Sequence, residues 1–378
     1  MKKKILLAPN SFKESADSVT ISNFIFNQLR LSDNFSVIEM PISDGGDGFL
    51  SVCEKLYNGI RLTYSVKNVY NDQIGPVDVI YVKSDNTVYV ESAEVIGLKK
   101  VPGNFRYPMQ LNTVPLGQLL KKLVQDVQNS KLRVDRVIIG VGGTSTVDFG
   151  LGVAYVFGLK IHNNNGLELD VKPVNFTRID SIHFEKIILP FKIHIIADVE
   201  TPLFGKNNAI KVYSEQKGAN SDDISELRKG FSNIYNIIKN KGIIEIPNLL
   251  YGAGGGLAAG MQIFFNADVT SSKNFINDQI LNNINLDEIG AVITGEGSFD
   301  KQSLESKGAY TIIHKFMGAD LPIFLICGKF DKKVLPDLPE YVKVIELIKY
   351  FNSSEESIKN YKTGLKRAVI EIVDYLKN

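Results

Sequence analysis

The sequence has only two cysteines in 378 residues, Cys53 and Cys327, far apart in the chain. No CxxC pair and no disulfide framework can be built from them, and such usage fits a reducing compartment. Histidine is also scarce. His162, His183, His194 and His314 show no metal-ligand spacing, so they support neither a zinc site nor a Ser-His-Asp order. A surplus of charge is missing too: 43 Lys+Arg stand against 42 Asp+Glu, a formal net charge of +1. That balance exerts no global pull toward nucleic acid or an anionic membrane. Long apolar runs are absent. The N-terminal run Ile5–Ala8 is too short for a signal peptide, which needs about 7–15 apolar residues. No segment approaches the ~20 residues of a membrane span. A soluble cytoplasmic protein with neither nucleic acid nor membrane as partner is expected.

What the sequence does have is clustered glycine. Its 31 glycines gather at 45–48, 140–152, 252–260 and 295–297. Clusters that follow apolar runs mark places where a backbone comes close to something. At roughly 100–200 residues per domain, the length predicts about two domains. Ile5–Ala8 and Val37–Ile42 read as buried strands. Between them lies a helix that Ser15 is expected to cap, with Ile21, Phe24, Ile25 and Leu29 on one face. A second helix carries Phe49, Val52, Cys53 and Leu56. Leu62–Val69, Val77–Val82 and Thr87–Glu91 then alternate apolar and polar residues, as antiparallel strands do. Asn112–Val127 reads as a helix, Val137–Ile139 and Ile193–Ala197 as strands, and 163–180 as loop. Buried strands return at Ala291–Ile293, Ile323–Cys327 and Val342–Leu347, the first two running into glycine. Ser354–Leu376 reads as one long helix. The outer five strands predict one doubly wound parallel sheet, a flavodoxin- or Rossmann-like α/β domain. That domain is discontinuous, formed by 1–60 and 286–378, with 61–285 inserted as a second α/β domain.

In open α/β sheets ligands bind beyond the carboxyl ends of the strands, and the polar residues there are the candidates for chemistry. Lys13 stands just before a helix start, where an anion would reconcile it with the helix dipole; otherwise it is a solvated loop lysine. Asp44 and Asp47, in Asp44-Gly-Gly-Asp-Gly48, suit Mg²⁺ or proton abstraction, and equally suit helix capping. Gly140-Val-Gly-Gly-Thr-Ser-Thr146 offers bare amides and hydroxyls, either as a phosphate cradle or as a tight packing turn. It is not a Walker A sequence. The GxGxxA run at Gly254, Gly256 and Ala259 reads as a dinucleotide loop or as close helix packing, with no convincing acidic partner downstream. Asp148-Phe-Gly150 spells DFG, but the VAIK lysine and HRD loop of a protein kinase are absent. Asp198 is a candidate base and Lys217 a candidate phosphate partner, each weighed against ordinary surface charge. Glu296 and Asp300 add carboxylates at another strand end. Glycine-rich loops, hydroxyls, two lysines and several carboxylates together form the set that phosphoryl transfer uses.

As an ordered set these motifs resemble the type-1 glycerate kinase family. The resemblance runs through Ala8-Pro-Asn-Ser-Phe-Lys13, Pro41-Ile-Ser-Asp-Gly-Gly-Asp-Gly48 and Arg106…Pro108…Thr113…Gly117. It continues through Ile139-Gly-Val-Gly-Gly-Thr-Ser-Thr-Val-Asp148, Asp198-Val-Glu-Thr-Pro-Leu203, Gln216-Lys-Gly-Ala219, Gly252–Gly256 and Thr294-Gly-Glu-Gly297…Asp300-Lys-Gln-Ser303. It implies an ATP- and Mg²⁺-dependent kinase that phosphorylates glycerate, favouring the 2-hydroxyl over the 3-hydroxyl. It also implies a flavodoxin-like domain made by both chain ends and an inserted domain resembling a restriction-enzyme fold.

On that footing Asp198, then Asp44, is the expected base, with Lys13 as a further catalytic residue. Ser11, Lys13, Arg106 and Thr113 are expected to bind substrate. Gly142, Gly143, Thr144, Ser145, Lys217, Gly295, Glu296 and Asp300 are expected to bind nucleotide, and Asp44 and Asp47 the metal. A homodimer is left open. The chain departs from the family pattern at Asn10, where Asp is usual, and at Glu14, Pro115, Gln118, Val147 and Phe149. These departures keep a second reading in view, a paralogue that takes another small hydroxy acid or binds ligand without turnover. A Rossmann-type oxidoreductase using Gly254–Ala259 is a third.

Overall fold

The computed structural model describes residues 4–31, 35–185, 188–197, 202–205, 209–241, 246–247, 249–304 and 308–377. In chain order its strands are β1 (Lys4–Pro9), β2 (Ser36–Glu39), β3 (Ile60–Lys67), β4 (Ile74–Val82), β5 (Thr87–Glu91), β6 (Arg136–Gly140) and β7 (Lys160–His162). They continue with β8 (Ser181–His183), β9 (Lys192–Ala197), β10 (Asp268–Ser271), β11 (Ile289–Phe299), β12 (Ile323–Phe330) and β13 (Val342–Glu346). The chain forms two compact units, one of Met1–Leu56 with Ser272–Asn378 and one of Tyr57–Ser271. Among the described residues no helix is long and apolar enough to cross a membrane.

The first unit is built on a five-stranded sheet in the order β13-β12-β11-β1-β2, parallel throughout. Successive side chains of a strand point to opposite faces, and here both faces are buried. Leu6, Val292 and Leu325 pack with Ile276, Ile280, Ile312 and Ile313 on one face. Ile5, Leu7, Ala291, Ile293 and Phe324 pack with Ile21, Ile25, Leu29, Leu365 and Ile372 on the other. A sheet covered on both faces needs near-continuous apolar strands, which is why these short runs stand out in the sequence.

Local details differ from the expectations at four places. Asp17, not Ser15, caps the helix Ser18–Arg30, its Oδ1 accepting from Thr20 N at 2.7 Å. Ser15 is consumed by a turn closed first, in which Phe12 N donates to Ala16 O at 2.9 Å and Ser15 N to Phe12 O at 2.9 Å. Asp17→Ala is therefore expected to cost about 1 kcal/mol, read as a lower urea midpoint, whereas Ser15→Ala should cost less. An equal loss in both variants would return the cap to Ser15. The second strand stops at Glu39 rather than Ile42. Gly295 and Gly297 lie inside β11 instead of following it. A Cβ on Gly295 would run into the Ile326 carbonyl oxygen of β12, and one on Gly297 would sit 2.9 Å from Lys13 N. These glycines let backbones approach within the fold. Finally, the C-terminal helix is two, Ser354–Lys359 and Tyr361–Lys377, separated at Asn360. Asn360 leaves helical geometry at φ −106° and ψ 26°, as a side chain that competes for backbone hydrogen bonds tends to do.

The second unit has a six-stranded mixed sheet, β10-β9-β6-β5-β4-β3. β3, β4 and β5 are antiparallel and β5, β6, β9 and β10 parallel. The helix Val114–Gln128 buries Leu116, Leu119, Leu120 and Leu123, a helical stripe, against this sheet's core. Between the short strands β7 and β8 the chain is irregular except for one 3₁₀ turn, Pro173–Arg178.

Candidate active site

In the first unit the polar residues gather where β1 and β11 end. Asn10 follows β1 and is buried. Its N–H donates to Gly295 O at 2.8 Å, and its Oδ1 accepts from Ser11 N at 2.8 Å. Ser11 is half-buried and Lys13 exposed. Asp44 and Asp47 are half-buried in the glycine turn, where Asp44 Oδ1 accepts from Gly46 N at 3.2 Å. Glu296 projects from β11 and is only 9% exposed, with Oε1 buried and lacking a hydrogen-bond partner. Burial pushes its carboxyl up to about 8; the Asp44 and Asp300 charges push the same way, against Ser303 and Lys13. Asp300 Oδ1 accepts from Gln302 N at 2.8 Å, and Ser303 Oγ accepts from Asp300 N at 3.2 Å. The structure thus brings Lys13, Asp44, Glu296 and Asp300 into one electrostatic neighbourhood.

An orphaned buried carboxylate oxygen with two further carboxylates in range fits a hard cation. Among the described residues no three such side chains converge closely enough to hold an ion unaided. Mg²⁺ in that setting would take only one or two carboxylates and complete its shell with phosphate oxygens and water.

In the second unit the glycine loop after β6 is held from below. Asp148 is fully buried, and its carboxylate accepts from Thr113 N at 2.7 Å, Thr113 Oγ1 at 2.8 Å, Gly150 N at 3.1 Å and Gly152 N at 3.1 Å. Burial pushes this carboxyl up, and the four donors oppose the shift by favouring the charged form. Lys217 is buried, its Nζ donating to Thr144 Oγ1 at 3.0 Å and Thr146 O at 2.9 Å. Burial brings its ammonium down to about 7, and the Asp148 charge pulls the other way. Ser145 donates through Oγ to Ile96 O at 2.9 Å. The hydroxyls of Thr113 and Ser145 are therefore engaged with protein partners, while Gly142 is half-buried and Gly143 exposed. Arg106 is exposed, its Nε donating to Val101 O at 2.9 Å. Its carbonyl oxygen lies where a side chain on Gly218 would have to go, so only glycine lets the 216–218 turn close on this segment.

Asp198 lies outside the described residues. Asp148 is the residue that sequence reasoning passed over, because DFG reads as a false kinase motif. The available signal was an aspartate followed by Phe149-Gly-Leu-Gly152, a glycine-spaced stretch that opens a helix. Val147 and Phe149 are core residues; the Phe149 ring meets Phe231 edge-on at 5.2 Å. Among the described residues no strand leads into the GxGxxA run. Side chains on Gly255 and Gly260 would strike the carbonyl oxygens of Thr146 and Phe149, and the helix Leu257–Phe265 is buried all round. The run is a packing seam under the 146–150 loop, which removes the basis for a dinucleotide-binding oxidoreductase.

The chain is similar to known proteins over nearly its whole length. The glycerate kinase family model matches residues 5–377. A glycerate kinase of Neisseria meningitidis serogroup B is 28% identical over 379 residues, covering 98% of this chain and 97% of its own. The glycerate 2-kinase of Escherichia coli K12 is 25% identical over 336 residues, 88% of this chain and 86% of its own. A crystal structure of a candidate glycerate kinase 2 from Salmonella typhimurium LT2 shares the fold, with a TM-score of 0.76 at 21% identity over 99% of this chain and 98% of that one. With a family model spanning nearly every residue on an α/β fold of the same kind, the chain belongs to the glycerate kinase family.

Proposed function

We propose that this ATP-dependent small-molecule kinase transfers the γ-phosphoryl group of ATP to D-glycerate, at the 2-hydroxyl in preference to the 3-hydroxyl. The observation that carries this reading is the family match across residues 5–377. The name of the Escherichia coli relative, a glycerate 2-kinase, favours the 2-position.

In this reading the substrate hydroxyl oxygen attacks the γ-phosphorus. The bond from that phosphorus to the bridging oxygen of ADP breaks, and the hydroxyl proton passes to a carboxylate, Asp198 first and Asp44 next. Asn10 presents an amide, which cannot take that proton. Lys13 and Arg106 meet the glycerate carboxylate and the transferring phosphoryl group, with Ser11 and Thr113 completing the substrate contacts. Gly142, Gly143, Thr144, Ser145, Lys217, Gly295, Glu296 and Asp300 serve the nucleotide. Support comes from the buried Lys217 under the glycine loop and from the carboxylates around Glu296. Mg²⁺, held by Asp44 and Asp47, would neutralise phosphate charge.

The test is ADP release coupled to a spectrophotometric readout, with ATP, Mg²⁺ and D-glycerate, followed by NMR of the product. Glycerate-dependent ADP release yielding 2-phosphoglycerate is expected. No release above the rate with ATP alone would defeat the reading, and 3-phosphoglycerate would correct its regiochemistry. L-glycerate and tartronate run alongside should turn over more slowly.

A further inference from the structure

A cleft of about 420 Å³ opens in the second unit along the segment between Phe105 and Pro115. Its charge is unbalanced. Lys67 and Lys172 both line it, and the carboxylate of Asp72 already accepts from Lys67 Nζ at 2.7 Å. Lys172 Nζ makes no hydrogen bond or close ion pair among the described residues, although its charge, after that of Lys67, helps to hold the Asp72 carboxyl below its ordinary range. A second hollow of about 300 Å³ shares Lys67 and adds Lys121 and Lys122, with no carboxylate in its wall. Such a surface attracts an anion.

The cleft also has an apolar wall. Tyr70 and Phe105 lie 5.4 Å apart at 36°, and Phe105 is 46% exposed at the end of a short 3₁₀ turn. An aromatic pair left open to solvent beside lysines offers a flat face for a ring. Gln110 is exposed, and Asn112 spends its Oδ1 on Val114 N at 3.2 Å while its NH₂ stays uncommitted. A few placed amides beside an aromatic wall are what small-ligand clefts of 300–1,000 Å³ use to fix orientation.

We propose that this cleft binds a nucleoside phosphate, its base against Tyr70 and Phe105 and its phosphate between Lys67 and Lys172. It is an effector site, separate from the residues assigned to phosphoryl transfer. Its walls touch that machinery in sequence: Phe105 precedes Arg106, and Asn112 precedes Thr113, which is bonded to Asp148. The assignment holds whether or not glycerate is the acceptor.

The test is calorimetric titration of the full chain with AMP, the catalytic site first saturated with a non-hydrolysable ATP analogue and Mg²⁺. One AMP per chain is expected to bind, with inorganic phosphate at least about tenfold weaker. Lys172→Glu and Phe105→Ala should each weaken AMP about tenfold or more, with kcat and the melting temperature unchanged. No AMP binding after saturation, or AMP binding indifferent to both substitutions, would overturn the proposal. Phosphate binding as tightly as AMP would overturn it too, by showing that the ring contributes nothing.

Discussion

Asp148→Ala is expected to lower the stability of the second unit by about 3–5 kcal/mol, the usual cost of removing one partner from a buried charged network. The carboxylate gathers four donors from two segments: Thr113 N and Oγ1 at the start of the helix Val114–Gln128, and the N–H groups of Gly150 and Gly152 at the opening of the next helix. Alanine would strand all four in a site without water access, and hydrogen bonds to a charged group are worth about 1.5–3 kcal/mol each before relaxation. It would also leave the buried Lys217 ammonium without the charge that opposes its desolvation. Asp148→Asn keeps one oxygen for Thr113 but turns an amide NH₂ toward backbone donors, so it should fall between parent and alanine. Urea unfolding reads the effect. A loss below about 1 kcal/mol for Asp148→Ala would mean that the node is not the keystone of this loop.

Glu296→Gln is expected to do the opposite, and only at high pH. The folded-state value of Glu296 stands near 8 against 4.5 in the open chain, so between these two values the folded protein holds a proton that the unfolded chain has released. Stability from this group is present below about pH 4.5 and is lost as pH rises toward 8. At about 1.4 kcal/mol per tenfold change in proton affinity, ionising the buried carboxyl costs on the order of 5 kcal/mol. Glutamine imitates the protonated form and cannot ionise. The variant should match the parent near pH 4.5 and exceed it by a few kcal/mol at pH 8–9. Denaturant midpoints at pH 5, 7 and 9 test this. A difference that does not change with pH would show that Glu296 titrates normally.

Much of the fold was legible because its signals are local. The central strands β1, β11 and β12 carry short apolar runs, and a strand buried on both faces cannot be written otherwise. The antiparallel character of β3, β4 and β5 was legible from alternation. What was missed turned on competition between neighbours. Ser15 and Asp17 are both sound caps, and the Phe12–Ala16 turn selected Asp17. The glycines of β11 and the run at 252–260 look alike in sequence, as loops near a ligand. In the structure the first lie within a sheet and the second against the backbone of another loop, because the partner that demands a missing Cβ lies far away in the chain. The candidate site was legible as residue types after strand ends, while the central place of Asp148 was hidden behind a motif that belongs to other kinases.

By itself the sequence determined the apolar strands β1, β11 and β12, the alternating strands β3 to β5, the absence of a charge bias and the ordered motifs that mark the family, since periodicity and composition are properties of consecutive residues. Only the tertiary structure decided the states of the groups those motifs supply. Lys217 meets Thr144 across 73 residues of chain, and Glu296 loses water and gains the charge of Asp44 from a distant segment. Burial and charge partners set a proton affinity, and both are made by residues that only folding brings together.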